Sequence, residues 1–405
     1  MKAAVLVVLA VTFLYKIWLS LLKARSMKNP IPASVADVYD ESTYQKWRSY
    51  QSENLRFGLL SGVVSFLIAV LMLALNVHAL FAGLFPEGWV SQLFAVALIE
   101  TLSEILLIPF SYYDTMHIEE KYGFNRTSVK TFWSDQLKEF LLSLIIMTGV
   151  GMILGGLHRW LGDGLIVAFA LVMFLLILLI SFLFPYLSRI FNKFTPLEEG
   201  ELKDRLTSLL EQHGFQVRAI QVMDASRRST KSNAYFTGFG KLKTIVLYDT
   251  LVEAMTVDEI CAVFAHEMGH GLHKDTLKNQ ILSFAQMAVI GVMAWLVLRT
   301  EPLFTAFGFS EINYGFALIL IMSVGFALLF PLWGLLANWH SRRAEYAADA
   351  QAVAEGYGEA LISALKKLAR ENLSDLSPSP LLVKLEYSHP SLSQRIEAIE
   401  KALKK

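Results

Sequence analysis

The chain has 405 residues, with 36 Lys and Arg against 36 Asp and Glu, and so a formal net charge of zero. It is 54% hydrophobic and only 18% charged, with a mean hydropathy of +0.46, too apolar for a soluble globular protein of this length. Zero net charge without a basic, aromatic-interleaved patch argues against nucleic acid as a partner, and the single cysteine, Cys261, excludes an intramolecular disulfide and a Cys-based zinc cluster.

In chain order, the apolar sequence gathers into seven segments near the ~20 residues that cross a bilayer: 3–22, 58–84, 92–112, 140–161, 165–187, 281–298 and 314–338. Lys16 interrupts the first and no small-residue cleavage site follows, so it reads as a retained span, not a signal peptide. Loops 23–57 and 113–139 carry six and four Lys or Arg, whereas 85–91, 158–164 and 299–313 carry zero, one and one. This alternation puts the N-terminus outside and the C-terminus on the cytosolic side. Glu100 and Glu104, one turn apart in the third span, do not belong in lipid. They either line a substrate chamber or pair with Arg or Lys elsewhere. Pro109, Pro185 and Pro331 near span ends read as kinks or terminators.

Segment 188–280 is expected to lie outside the bilayer. Thr195-Pro-Leu-Glu198 reads as a helix start, with Thr195 at the N-cap, and Gly214 as its end. Residues 215–223 and 243–248 read as short strands, and Ser232–Phe236 as a strand-like piece before the turn TGFGK. An exposed strand edge there would take an extended peptide by β-augmentation, although an ordinary hairpin fits the fragment equally well. Thr256 and Glu259 form a capping box, and Ile260, Val263, Phe264 and Met268 follow at helical spacing. Cys261, in that stripe, is a buried core thiol; no basic neighbour is evident to activate it.

About three turns into that helix lies His266-Glu-Met-Gly-His270. Two imidazoles four residues apart on a helix share a face and can chelate one Zn²⁺, with Glu267 beside the metal as general base. Catalytic zinc takes three protein ligands. The third is sought in the helix after the last apolar run, where Glu345 and Asp349 stand one turn apart. One carboxylate would bind the metal and the other accept the N–H of a ligating histidine. Helical ion pairs with Arg342 and Arg343 are the plainer alternative for this segment.

These motifs carry a resemblance that runs along nearly the whole chain. EKYGFNRTS near 120, FNKFTPLEEGEL near 195, SNAYFTGFGKLKTIVLYDTL from 232, HEMGH, SRRAEYAAD and SHPSLSQRI from 388 resemble the CAAX prenyl protease 1 family, the Ste24-type integral-membrane zinc metalloproteases. The resemblance implies an all-α polytopic membrane protein with seven transmembrane helices around an internal chamber, a gluzincin-type zinc site, and a small β-containing extramembrane segment. It implies His266, His270 and Glu345 as ligands of one Zn²⁺, with Glu267 as catalytic base. It gives Asp349 to a ligating histidine or to proton donation, and His389 to oxyanion stabilisation with Arg395 in support. Asn233 and Ala234 would bind the peptide backbone.

The expected organisation is five membrane helices in 1–187, the metalloprotease segment in 188–280, two spans in 281–338, and the ligand helix with a helical tail in 339–405. The expected activity is zinc-dependent hydrolysis of peptide bonds near the C-terminus of prenylated or membrane-associated proteins. The expected setting is a bacterial cytoplasmic membrane. A quality-control protease indifferent to prenyl groups, and a metal-binding transporter, are the alternatives.

Overall fold

The computed structural model describes residues 1–214, 217–237 and 243–404. Helix α1 (Lys2–Ser26) runs along α2 (Glu41–Ala74), which starts at Asp40, whose carboxylate accepts the Thr43 amide at 2.8 Å. Asn76, left-handed at φ 57, ends that run and turns the chain into α3 (Val77–Ala82). The third apolar stretch is α4 (Trp89–Glu104), a 3-10 turn, α5 (Ile108–Tyr113) and a π-helical turn at Asp114–Glu119. Ser128 caps α6 (Val129–Leu161), and α7 (Leu165–Leu187) follows. The later membrane helices are α11 (Asp275–Arg299) and α14 (Phe326–Ala354).

Among the described residues five helices are long and apolar enough to cross a membrane, or six if the bent pair Tyr314–Leu329 and Pro331–Ala354 is one span. One of them, Val129–Leu183, is 55 residues. At 1.5 Å per residue that is about 80 Å of helix against a bilayer core of ~30 Å. The turn Gly162–Gly164, with Gly162 at φ 53, divides it. The 61° bend in the last span falls at Pro331, where a helix loses a backbone donor. Small residues let these helices approach: a Cβ on Gly291 would sit 2.7 Å from the Ile166 carbonyl oxygen across the α7–α11 contact.

Outside this bundle lies a four-stranded sheet of order β1-β2-β4-β3, built from β1 (Phe194–Pro196), β2 (Val217–Met223), β3 (Ala234–Thr237) and β4 (Lys243–Tyr248). Strands β2 and β4 are parallel, while β3 pairs antiparallel with β4 and has no other strand partner among the described residues. Helices α8 (Glu201–Gln212), α9 (Asp249–Ala254) and α10 (Val257–Leu272) pack with the sheet over a core that includes Leu206, Ile245, Leu247, Phe264 and Cys261. After α11 (Asp275–Arg299) and α12 (Glu301–Ala306) come α13 (Tyr314–Leu320) and α14 (Phe326–Ala354). The chain closes with α15 (Gly358–Glu371), α16 (Pro380–Glu386) and α17 (Leu392–Leu403).

Several boundaries differ from the sequence reading. Thr195 caps no helix: it pairs with Val222 in β1–β2, and α8 begins only at Glu201. A local cap signal lost to strand pairing that is non-local in sequence. Gly214 does end α8, at φ 68. The strand expected at 215–223 is β2 from Val217 on, with 215 and 216 outside the described residues; that at 243–248 is β4, and the TGFGK turn lies largely outside the described residues. The divisions placed at 280 and 338 fall inside α11 and α14, which run through them. Glu100 has a partner, but it is buried His78, Nε2 to Oε2 2.8 Å, instead of Arg or Lys; Glu104 is exposed.

The capping box at the head of α10 is formed as read, and Glu259 is buried within it. Burial alone would push this carboxyl up. Lys367 Nζ at 2.7 Å, Ser363 Oγ at 2.6 Å and the Thr256 amide at 2.8 Å overcome it and hold it at about 2, below its ordinary 4.5. Glu259→Gln should therefore lower stability by about 2 kcal/mol near neutral pH. A carboxyl depressed in the fold stabilises above its unfolded value, so the deficit should shrink as pH falls from 4.5 towards 2. Denaturant unfolding of both proteins at pH 7 and pH 3 checks this; an equal deficit at both refutes it.

Candidate active site

Helical periodicity puts His266 and His270 one turn apart on α10, their ring centroids 4.9 Å apart. Helix α14 crosses α10 at close range because Gly269 offers no side chain. A Cβ there would lie 2.9 Å from Ala348 Cα and 3.2 Å from its carbonyl oxygen. The close crossing brings Glu345 and Asp349, both buried, onto the histidine face.

The two histidines are held alike. His266 Nδ1 is 2.9 Å from Asp349 Oδ1, and His270 Nδ1 is 3.1 Å from Asp275 Oδ2. With Nδ1–H donated to a carboxylate, each Nε2 keeps its lone pair for an electrophile. Both point at Glu345: His266 Nε2 lies 3.6 Å from Oε2 and His270 Nε2 3.3 Å from Oε1. These three residues form a group whose ligating atoms all lie within 4.8 Å of one another. Glu345 Oε2 is buried without a hydrogen-bond partner among the described residues. Ligands about 2.1 Å from a tetrahedral zinc stand about 3.4 Å apart, so the donor set fits that ion. Burial pushes the His270 imidazole down, but Glu345 and Asp275 outweigh it and hold it at about 9, so a cation entering here competes with a proton.

Around this group the remaining predicted residues take distinct places. Glu267, on the same turn of α10, is not a member of the donor group, and burial pushes its carboxyl above the ordinary range. Arg395 from α17 grips Asp349 with two bonds, Nε to Oδ2 at 2.9 Å and Nη2 to Oδ1 at 2.6 Å, and its Nη1 is 3.3 Å from Glu345 Oε2. Its guanidinium is thus engaged by the carboxylates of α14, where the sequence reading had it supporting His389. His389 is well exposed, with Nδ1 2.9 Å from Ser388 Oγ and Nε2 3.3 Å from Glu345 Oε1. Asn233 and Ala234 stand at the start of edge strand β3, beside α10. The Ala234 amide donates to Asn233 Oδ1 at 2.9 Å, and the Asn233 carbonyl accepts the Tyr248 amide at 3.1 Å.

Sequence reasoning missed Asp275, held in turn by Lys278 Nζ at 2.9 Å. The signal was its place five residues beyond His270. Lys274, left-handed at φ 57, makes the tight turn that brings the head of α11 back to that histidine. Gly269 was read only as part of the motif, not as the residue that sets the helix spacing.

Comparison with known proteins identifies the family. Residues 20–193 match the CAAX prenyl protease N-terminal family of five membrane helices, and residues 196–403 match peptidase family M48. A CAAX prenyl protease 1 homolog of Arabidopsis thaliana is 33% identical over 96% of this chain and 95% of its own length. The CAAX prenyl protease 1 of Saccharomyces cerevisiae is 32% identical over 91% and 88%. The crystal structure of S. mikatae Ste24p superposes with a TM-score of 0.92 at 28% identity, covering 98% of this chain and 99% of that one. The chain belongs to peptidase family M48 with the membrane region of the CAAX prenyl proteases, and it is a multi-pass membrane metalloendopeptidase.

Proposed function

We propose that this protein is a zinc endopeptidase that cuts near the C-terminus of prenylated or membrane-associated proteins. The observation that carries the reading is the donor set of His266, His270 and Glu345, with Glu345 Oε2 accepting no hydrogen bond among the described residues and both Nδ1 atoms engaged by carboxylates. The names of the relatives support the substrate class. The helices accommodate seven crossings, if Val129–Leu183 counts as two and the bent pair as one. The alternation of basic loops favours a cytosolic face for segment 188–280 and the tail.

Zinc held by these residues supplies Lewis-acid polarisation and a more acidic water at neutral pH. Glu267 takes the proton of the attacking water on its carboxylate and returns it to the leaving amine. His389, exposed beside Glu345, offers its Nε2–H to the developing oxyanion; losing one such donor usually costs about 10²–10³ in rate. The outer edge of β3, with Asn233 and Ala234 at its head, aligns the peptide backbone. Asp349 with Arg395, and Asp275 with Lys278, fix the two imidazoles.

That last role predicts that Asp275→Asn weakens zinc binding about 10–100-fold while the protein folds normally. Chelator competition measures it, and unchanged affinity would remove Asp275 from the site. The function itself is tested with a farnesylated CaaX peptide and its unprenylated counterpart, each with and without chelator. Chelator-sensitive cleavage of the farnesylated peptide alone supports the reading. Equal cleavage of both leaves a membrane zinc protease indifferent to prenyl groups. Cleavage of neither, with zinc bound, rejects a protease of these substrates.

A further inference from the structure

A cavity of about 1220 Å³ opens between α1, α2, α11 and α14. Part of its wall is apolar, including Phe13 stacked on Phe66 with ring centroids 4.3 Å apart. Part is polar where a lipid-facing surface would not be: Asn279, Ser283 and Gln286 follow one another at i, i+4 and i+7 along one face of α11. Three charged residues line it, namely Lys16 and Lys23 on α1 and Glu386 at the end of α16. Lys23 is opposed by the field of Asp375, and Glu386 stands by Tyr15. Lys16 is exposed towards the cavity and makes no ion pair among the described residues. An uncompensated ammonium in the middle of a membrane helix is costly unless it has a polar task.

The cavity begins close to the donor group. Asn338 in its wall stands seven residues before Glu345 on α14, about 10 Å along the helix. Asn279 is one turn beyond Asp275 on α11. Three extended residues span about 10 Å. A chain lying across the donor group with its last few residues pointing this way would enter the cavity with apolar side chains against the apolar wall and a terminal carboxylate to be neutralised.

Resting on the proposed peptidase reading, we infer that Lys16 is a specificity determinant that recognises the free α-carboxylate of the substrate's C-terminus. The site favours short, apolar C-terminal segments that end in an ionised carboxyl, because Lys16 pairs with that carboxyl.

The test uses the purified full-length protein with a farnesylated CaaX peptide and the same peptide ending in an amide. Wild type should cleave the acid about tenfold or more faster in kcat/KM, as expected for a hydrogen bond to a charged group. Lys16→Met should lower kcat/KM for the acid, mainly through KM, until acid and amide are cleaved alike. Lys16→Arg should keep the preference, which separates charge recognition from a packing role. Equal cleavage of acid and amide by wild type overturns the inference while leaving the peptidase intact. A preference that survives in Lys16→Met overturns it as well. Cleavage of neither peptide by wild type overturns the peptidase reading, and the inference with it.

Discussion

Glu267→Gln is expected to bind zinc as wild type does and to lose hydrolysis by roughly 10²–10⁴ or more, the usual contribution of a positioned general base. The substitution keeps the shape of the side chain and removes only its ability to accept a proton. Glu267 is outside the donor group of His266, His270 and Glu345, so metal content should not change. In the metal-free site burial raises the proton affinity of this carboxyl, the nearby histidines act in the opposite direction and Glu345 reinforces the rise. Metal analysis beside turnover on one sample decides the matter: an active, fully metallated Glu267→Gln protein would end the assignment of Glu267 as base.

What the sequence disclosed about this site, and what it withheld, divide by range along the chain. The capping box of Thr256 and Glu259, the one-turn spacing of His266 and His270, and that of Glu345 and Asp349 are all set within five residues. Helical periodicity therefore exposes them directly. The apolar runs were equally legible, because bilayer thickness dictates their length. Contacts made across the fold were not. Thr195 carries the marks of a helix cap and instead pairs with Val222, because the sheet supplies a partner that no local signal announces. Glu100 was expected to find a cation or open water and found His78, from a short helix the sequence reading had merged into the second span. Arg395 could be placed near the site only by resemblance, and its bidentate grip on Asp349 depends on how α17 packs on α14. The cavity that Lys16 lines has no signature in one dimension: polar residues on α11 gain meaning only when other helices close round them.

His266→Ala should lose metal and activity together. Its imidazole is buried between Asp349 on Nδ1 and Glu345 near Nε2, so truncation removes one of three protein ligands. Structural zinc sites bind with about 10–16 kcal/mol over four ligands. One ligand is then worth roughly 3–4 kcal/mol, or about 10²–10³ in affinity. Asp349 keeps its two bonds to Arg395 in the variant, so the junction of α14 and α17 should survive and the protein remain folded. The two substitutions differ in rescue. Added zinc should restore part of the activity of His266→Ala by refilling a weakened site, and none of the activity of Glu267→Gln, whose defect is a missing proton acceptor. Wild-type zinc affinity in His266→Ala would show that the metal is held elsewhere, and would dissolve the argument built on the donor group.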